Sequence, residues 1–329
     1  MRLRFKPSAV RQWNDEMFYR HPDSDDESRP GRGICKGFSV SSRRTMLNRL
    51  NMVSKSTSLP DFVTLTFPDD CFRDSVTDFA KVAKSHLDTW LKRLKRAAPE
   101  AAGFWRMEWQ SRKSGRYEGK LFPHFHLMVW GVPKRQVVEH EESYVQVVDE
   151  QLSFAGLSRD VLKQHVFESR HAGSKFANRA FLNECRPDMT KEESRHMTFF
   201  DWASVAWYHV VDSHNLDHFL AGVSIERVRS WGGVMSYCSK YMAKLGEHNF
   251  LTDIPLGRSW GIFNRVHIPW GKMVELPLPD DVGVRVRRIM RHYLERVRGR
   301  RYSAPYGITF YGDVAQWSRL WESPPDTPF

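Results

Sequence analysis

The chain has 329 residues and a formal net charge of +11 at pH 7, which favours an acidic polymer as partner, nucleic acid before anionic membrane. No apolar run is long enough for a transmembrane helix, so we expect no membrane partner. Residues 1–6 are basic but no apolar segment follows them, which excludes a secretory signal and indicates a protein of the cytoplasm.

The cysteines and the glycine-rich segment exclude two further kinds of site. The four cysteines, Cys35, Cys71, Cys185 and Cys238, lie far apart without a CxxC pair, so neither a zinc ribbon nor a disulfide framework is indicated. Residues 31–37 (GRGICKG) lack the GK[ST] ending of a Walker A loop. We therefore expect no nucleotide cofactor.

Regular patterning begins near residue 61. Residues 1–60 are polar and weakly periodic, and we interpret them as an N-terminal arm or a loosely packed element. In residues 62–68 (FVTLTFP) apolar side chains alternate with threonine, which predicts a half-buried strand that the proline ends. Apolar residues at helical spacing, with a basic opposite face, predict a helix over residues 74–98.

A β-hairpin is predicted next. Residues 104–110 alternate between apolar and polar side chains, and a turn rich in glycine and basic residues leads from them to residues 123–131 (PHFHLMVWG). Successive side chains of a strand point to opposite faces of the sheet. Phe125 is therefore expected to face the core, with His124 and His126 on the other face.

The second half of the chain begins with a long irregular stretch. We interpret residues 132–219 as an insertion that contains helical pieces, such as residues 202–211. A short strand is predicted over residues 223–228. A helix should then begin after Gly232-Gly233 and end near Leu245.

The C-terminal part contains a basic helix. Apolar residues at helical spacing predict this helix over residues 284–297, and its other face is rich in arginine, including Arg285, Arg288 and Arg291. Contact with DNA and a solvated helix face explain these arginines equally well. The proline-rich end after residue 323 is expected to be a frayed tail.

Two histidines on one strand indicate a metal site. His124 and His126 are two residues apart, so both imidazoles can reach one divalent cation. Glu108 lies on the polar face of the strand that we pair with them and would complete the ligand set, while Glu226, on another short strand, is the competing third ligand. Such a mixed nitrogen and oxygen set suits Mn²⁺ or Mg²⁺. Because HxH also occurs by chance, surface or core histidines are the alternative.

A helix with paired tyrosines is the second candidate element. In residues 237–244 (YCSKYMAK) the helical offsets align Tyr237, Lys240, Tyr241 and Lys244 on one face. A phenol, with a pKa of about 10, needs a nearby cation or base to attack a phosphodiester, and a lysine one turn away supplies the cation. The alternative is an amphipathic helix with tyrosines at the edge of the core and lysines in solvent.

These segments, in this order, resemble the three motifs of the HUH endonucleases. The matching segments are FVTLTFP, PHFHLMVW and YCSKYMAK, and the resemblance is to the rolling-circle replication initiators of single-stranded DNA phages and related plasmids. Residues 258–261 (RSWG) also resemble a segment that often follows the tyrosine helix in phage-type initiators. The resemblance covers residues 61–265, about two thirds of the chain.

The resemblance implies an α+β fold. It would consist of a central antiparallel sheet of about five strands flanked by helices, the HUH endonuclease fold, with the long insertion at about residues 132–219. The histidine strand would be central and the tyrosine helix would lie over it. Residues 266–329 would follow this domain as a C-terminal basic helix and tail.

The resemblance also implies an activity and roles for the matched residues. His124 and His126 would bind the metal, Tyr237 and Tyr241 would be nucleophiles, and Lys240 would be a supporting cation. The enzyme would nick single-stranded or hairpin origin DNA, leaving a 5′-phosphotyrosine link and a free 3′-hydroxyl that a host DNA polymerase extends. Without a Walker motif, unwinding would require a separate host helicase.

Two other interpretations compete with this one. Conjugative relaxases usually place the tyrosine ahead of the histidines, and single-strand transposases of this class are usually shorter, with one tyrosine. A non-enzymatic basic nucleic-acid-binding protein would instead have coincidental motifs, and the arginine-rich helix is its best support.

Overall fold

The computed structural model of the protein describes residues 2–7, 9–13, 38–132, 164, 199–228, 230–242, 254–299 and 307–311. The chain divides into two compact units. The larger unit is formed by Ile34–Arg43 and Leu59–Ile268, and the smaller unit by Met1–Gly33, Arg44–Ser58 and Pro269–Phe329.

Both units contain strands and helices. The strands are β1 (Arg2–Lys6), β2 (Ala9–Trp13), β3 (Asp61–Leu65), β4 (Ala102–Ser111), β5 (Leu121–Trp130), β6 (Val223–Arg227), β7 (Trp260–Phe263), β8 (Val274–Pro277) and β9 (Gly307–Tyr311). The helices are α1 (Val40–Leu50), α2 (Val76–Ala97), α3 (Phe199–Val211), α4 (Leu216–Ala221), α5 (Trp231–Tyr237) and α6 (Asp280–Arg298). A π-helical turn, Cys238–Met242, continues α5.

The larger unit is built on a five-stranded antiparallel sheet in the order β6-β3-β5-β4-β7. The histidine strand β5 is therefore the middle strand, with β3 on one side and β4 on the other. This confirms the predicted α+β fold with an antiparallel sheet of five strands and accompanying helices.

One face of this sheet forms the core with α2 and α3. Phe125, Leu127 and Val129 of β5 are fully buried there, as the alternation predicts. The amphipathic helix α2 is capped by Ser75, whose hydroxyl accepts a hydrogen bond from the Asp78 backbone N–H at 3.2 Å. It packs its apolar stripe onto this face. The opposite face carries the polar side chains Thr64, Arg106 and His126 beside the buried apolar side chains Phe62, Phe104 and Met128.

The smaller unit has a four-stranded antiparallel sheet in the order β8-β1-β2-β9. Leu3 and Val10 of this sheet pack with Val286, Met290 and Leu294 of α6 in a separate core. The first strands thus differ from the N-terminal arm expected for residues 1–60. Their partners β8 and β9 come from the other end of the chain, so no local pattern reveals the pairing.

Two predicted features fall wholly or partly outside the described residues. Residues 133–163 and 165–198 of the predicted insertion lie outside the described residues, and so does the predicted tail after residue 323. Within the described part of the chain, no helix combines the length and the apolar character needed to cross a membrane.

Candidate active site

The candidate site lies on the polar face of the five-stranded sheet, around His124 and His126 of β5. In the β4–β5 register Glu108 lies opposite His124 and Arg106 lies opposite His126. On the other side of β5, Thr64 of β3 pairs with His126. His126 therefore lies in the middle of the sheet, between one polar side chain from each neighbouring strand.

Hydrogen bonds fix the His126 ring. Its Nε2 donates to the Glu108 carboxylate at 3.0 Å, and its Nδ1 lies 3.2 Å from the Thr64 hydroxyl. Burial raises the pKa of Glu108, but the hydrogen bond and charge of His126, together with Arg106, hold that pKa below its usual value.

His124 differs from His126 in its surroundings. Its side chain is half-buried, and burial, followed by the charges of His126 and Arg112, lowers its pKa to about 4. The imidazole is therefore neutral near pH 7, which is the form that binds metals. It faces a cavity of about 520 Å³ at the end of the central strands.

His218, from α4, closes one wall of that cavity. Its Nε2 donates to the Thr66 carbonyl at 2.9 Å, so the neutral ring accepts the Ser213 hydroxyl hydrogen bond at Nδ1, at 3.0 Å. Burial lowers its pKa to about 4. His218 lies within the predicted insertion, where no pattern in the sequence signals it.

Tyr237 and Tyr241 lie over the same histidine. The Tyr237 hydroxyl is 3.5 Å from His126 Nδ1, and the Tyr241 ring centroid is 5.0 Å from that of His126. Tyr237 is 8% exposed and stacks on Phe62 with ring centroids 3.5 Å apart. Burial raises the pKa of Tyr237, with a hydrogen bond to Thr64 acting against it. Tyr237 is thus held as a neutral phenol, and Tyr241 is the less buried of the two.

The predicted lysine face is only partly described. Lys240 lies within the π-helical turn Cys238–Met242. This wider turn replaces the α-helical geometry from which the stripe of tyrosines and lysines was predicted. Lys244 lies outside the described residues.

The two candidate carboxylates occupy different places. Glu226 is exposed on the edge strand β6, where it pairs with Phe62 of β3. β3 thus separates Glu226 from the histidine strand, whereas Glu108 is on the strand beside it. The geometry brings Glu108 to the histidines.

The donor atoms on this face are of the kinds that divalent cations such as Mn²⁺ bind. Glu108, His124 and His126 offer one carboxylate and two imidazoles from adjacent strands. As described, His126 and Glu108 bond to each other, and no three His, Cys, Asp or Glu side chains in the described segments are close enough together to hold a metal ion. Metal binding would exchange this hydrogen bond for two metal–ligand bonds.

The three arginines predicted to contact DNA belong to the smaller unit. Arg285, Arg288 and Arg291 lie on α6, each with an exposed side chain. Their spacing of three residues places them along one side of the helix, away from the buried Val286 and Met290.

Comparisons with known proteins give no relative for this chain: no protein-family model, no curated protein and no solved structure matches it.

Proposed function

We propose that this protein is a metal-dependent endonuclease of the HUH type that nicks single-stranded or hairpin origin DNA and starts rolling-circle replication. The observation that carries the proposal is the convergence of Tyr237 and Tyr241 on His126, beside Glu108. Tyr237 lies 111 residues from His126 in the sequence. Their meeting on the central strand is the arrangement that the three motif segments imply.

The proposed reaction is a transesterification. A tyrosine oxygen attacks the scissile phosphorus, a bond forms between them, and the bond from phosphorus to the 3′-oxygen breaks. The phenol gives up its proton and the leaving 3′-oxygen takes one, so the products are a 5′-phosphotyrosine and a 3′-hydroxyl. Mn²⁺ or Mg²⁺, when bound by Glu108, His124 and His126, would supply Lewis-acid stabilisation of the phosphate charge.

Two tyrosines suit a reaction with two cleavages. After one round of synthesis the second tyrosine would cut the regenerated origin, and the freed 3′-hydroxyl would attack the first phosphotyrosine. Each step exchanges one phosphodiester for another, so strand rejoining needs no ATP. A host helicase would unwind the duplex and a host DNA polymerase would extend the 3′-hydroxyl. The enzyme would then act in the cytoplasm of the host cell.

The charge of the chain supports a DNA substrate. A net charge of +11 favours binding to phosphates with strong salt dependence. Arg285, Arg288 and Arg291 are proposed as part of that binding surface because they are exposed on one helix. A relaxase or transposase of the same class would share this chemistry but fits the motif order and the paired tyrosines less well.

The competing proposal is a non-enzymatic DNA-binding protein. Tight stacking of Tyr237 on Phe62 favours it, because the tyrosine then serves as a core anchor rather than a nucleophile. The two proposals differ in whether a covalent protein–DNA product forms.

The test is an adduct assay on the replicon that encodes this chain. Single-stranded oligonucleotides that tile the replicon, labelled at the 3′ end, are incubated with protein and Mn²⁺ and separated under denaturing conditions. The label then stays with the fragment that the tyrosine captures. We expect a covalent adduct with the wild-type protein and none with the Tyr237→Phe/Tyr241→Phe double variant. No adduct from wild-type protein across the whole set would refute the proposal.

A further inference from the structure

Arg106 is a buried arginine on the polar face of β4, directly opposite His126. Its side chain is only 2% exposed and is among the largest fully buried side chains of the described residues. Burial lowers its pKa to about 10, while the charge of Glu108 acts in the opposite direction. A buried guanidinium is unfavourable unless its contacts compensate for lost hydration, so these contacts point to its role.

Arg106 contacts the π-helical turn Cys238–Met242, which contains Tyr241 and is called the tyrosine turn below. The Nη1 of Arg106 donates a hydrogen bond to the backbone carbonyl of Tyr241. The guanidinium also lies over the ring of Phe38, 4.3 Å from the ring centroid. Its Nε is fully buried and has no hydrogen-bond partner among the described residues. Arg106 therefore joins the central sheet to the backbone of one tyrosine and not to the other.

The backbone at that point is unusual. Tyr241 lies in the π-helical turn Cys238–Met242, which directly follows the α-helical residue Tyr237. In an α-helix residues four apart lie nearly above one another, and a π turn changes the angle between them. The angular position of Tyr241, and with it the 5.0 Å approach of its ring to His126, depends on this turn being maintained.

We propose that Arg106 is a positioning residue that holds the π-helical turn on the sheet and so makes Tyr241 competent as a nucleophile. This inference rests on the proposed nicking activity. Without the guanidinium the turn can relax toward α-helical geometry and move the Tyr241 ring away from His126. Tyr237 precedes the turn and stacks on Phe62, so its position depends less on the turn than that of Tyr241, although the two tyrosine rings lie 4.6 Å apart.

The test separates the two tyrosines. In a Tyr237→Phe background only Tyr241 can form the adduct, and in a Tyr241→Phe background only Tyr237 can. We expect Arg106→Met to slow adduct formation roughly tenfold to 100-fold more in the first background than in the second, because small displacements of a reacting group carry penalties of that size. An effect that acts through the charge of Glu108 is common to both backgrounds. Arg106→Lys, which keeps a donor, should restore part of the rate.

Arg112 on the extension of β4 provides a matched control. It also donates to a backbone carbonyl, that of Phe67, and lies 4.2 Å from the centroid of the Phe122 ring. Arg112 also forms an ion pair with Asp69 at 3.0 Å. Arg112→Met removes these contacts, none of which involves a tyrosine, so it should slow adduct formation in both backgrounds by the same factor.

The outcomes are distinguishable. Equal effects of Arg106→Met in the two backgrounds would overturn the positioning role, and so would an equally selective effect of Arg112→Met. Absence of any adduct from wild-type protein would overturn the proposed function and this inference with it. If Arg106→Met fails to give a cooperative thermal transition, Arg106→Gln and Arg106→Lys provide the same comparison.

Discussion

Replacing Glu108 with glutamine tests the third metal ligand directly. The amide keeps the shape of the carboxylate and can still accept the hydrogen bond that His126 donates at 3.0 Å, but it removes the negative charge. A hydrogen bond to a charged group contributes about 1.5–3 kcal/mol and a neutral one about 1 kcal/mol. We therefore expect the free energy of unfolding without metal to fall by only about 0.5–2 kcal/mol.

The affinity for Mn²⁺ should fall far more than the free energy of unfolding. Loss of the one anionic donor from a set of three should weaken Mn²⁺ binding by about 100-fold or more, or ~2.7 kcal/mol, since each tenfold change is about 1.4 kcal/mol. Isothermal titration calorimetry with Mn²⁺ measures the affinity, and urea unfolding monitored by circular dichroism measures the stability.

Glu226→Gln is the matched control for Glu108→Gln. Glu226 is exposed on the edge strand β6, so its replacement should leave both Mn²⁺ affinity and stability close to wild type. If Glu226→Gln weakens Mn²⁺ binding and Glu108→Gln does not, the assignment from strand order is wrong. If neither variant binds Mn²⁺ more weakly than wild type, the carboxylates take no part in a metal site.

Two further predictions concern the cavity wall and the basic helix. Because the folded-state pKa of His218 is about 4, below the unfolded value of about 6.5, its neutral form contributes stability that is lost as pH falls from 6.5 towards 4. Between pH 7 and pH 5 wild type should therefore lose about 2 kcal/mol more than His218→Gln in urea unfolding, and parallel losses would contradict the burial argument. Replacing Arg285, Arg288 and Arg291 with glutamine should reduce the slope of log affinity for single-stranded DNA against log salt by about 2, at roughly 0.7 per contact. Fluorescence anisotropy over a salt series measures that slope, and an unchanged slope would show that α6 faces solvent when DNA is bound.

Local pattern was sufficient for the strands that hold the histidines. Alternation in residues 104–110 and 123–131 predicted both strands, the hairpin that joins them and the opposite orientation of Phe125 and His126. Such features depend on neighbouring residues and on the two-residue period of a strand. The same holds for the amphipathic helices α2 and α6, whose apolar stripes are visible in the sequence.

The strands of the smaller sheet could not be predicted from local pattern. β1 and β2 are short, and they are completed by β8 and β9 from the far end of the chain. Each of these strands has weak alternation by itself, and only the pairing with distant partners and the packing against α6 makes the set stable.

Some features of the candidate site could likewise be predicted from the sequence, and others could not. The sequence alone determined that His124 and His126 share a face, that Glu108 lies on a paired strand, and that two tyrosines follow on a helix. Only the tertiary structure decided that the Glu108 hydrogen bond goes to His126 although its register partner is His124, and that β3 separates the histidines from Glu226.

The geometry of the tyrosine turn also depends on the tertiary structure. An α-helical pattern predicted a continuous stripe, whereas the chain forms a π-helical turn whose Tyr241 carbonyl accepts a hydrogen bond from the buried Arg106. The physical reason is that side-chain periodicity reports only which residues face the core. Strand order, turn geometry and the partners of buried polar groups depend on contacts between segments that are distant in sequence.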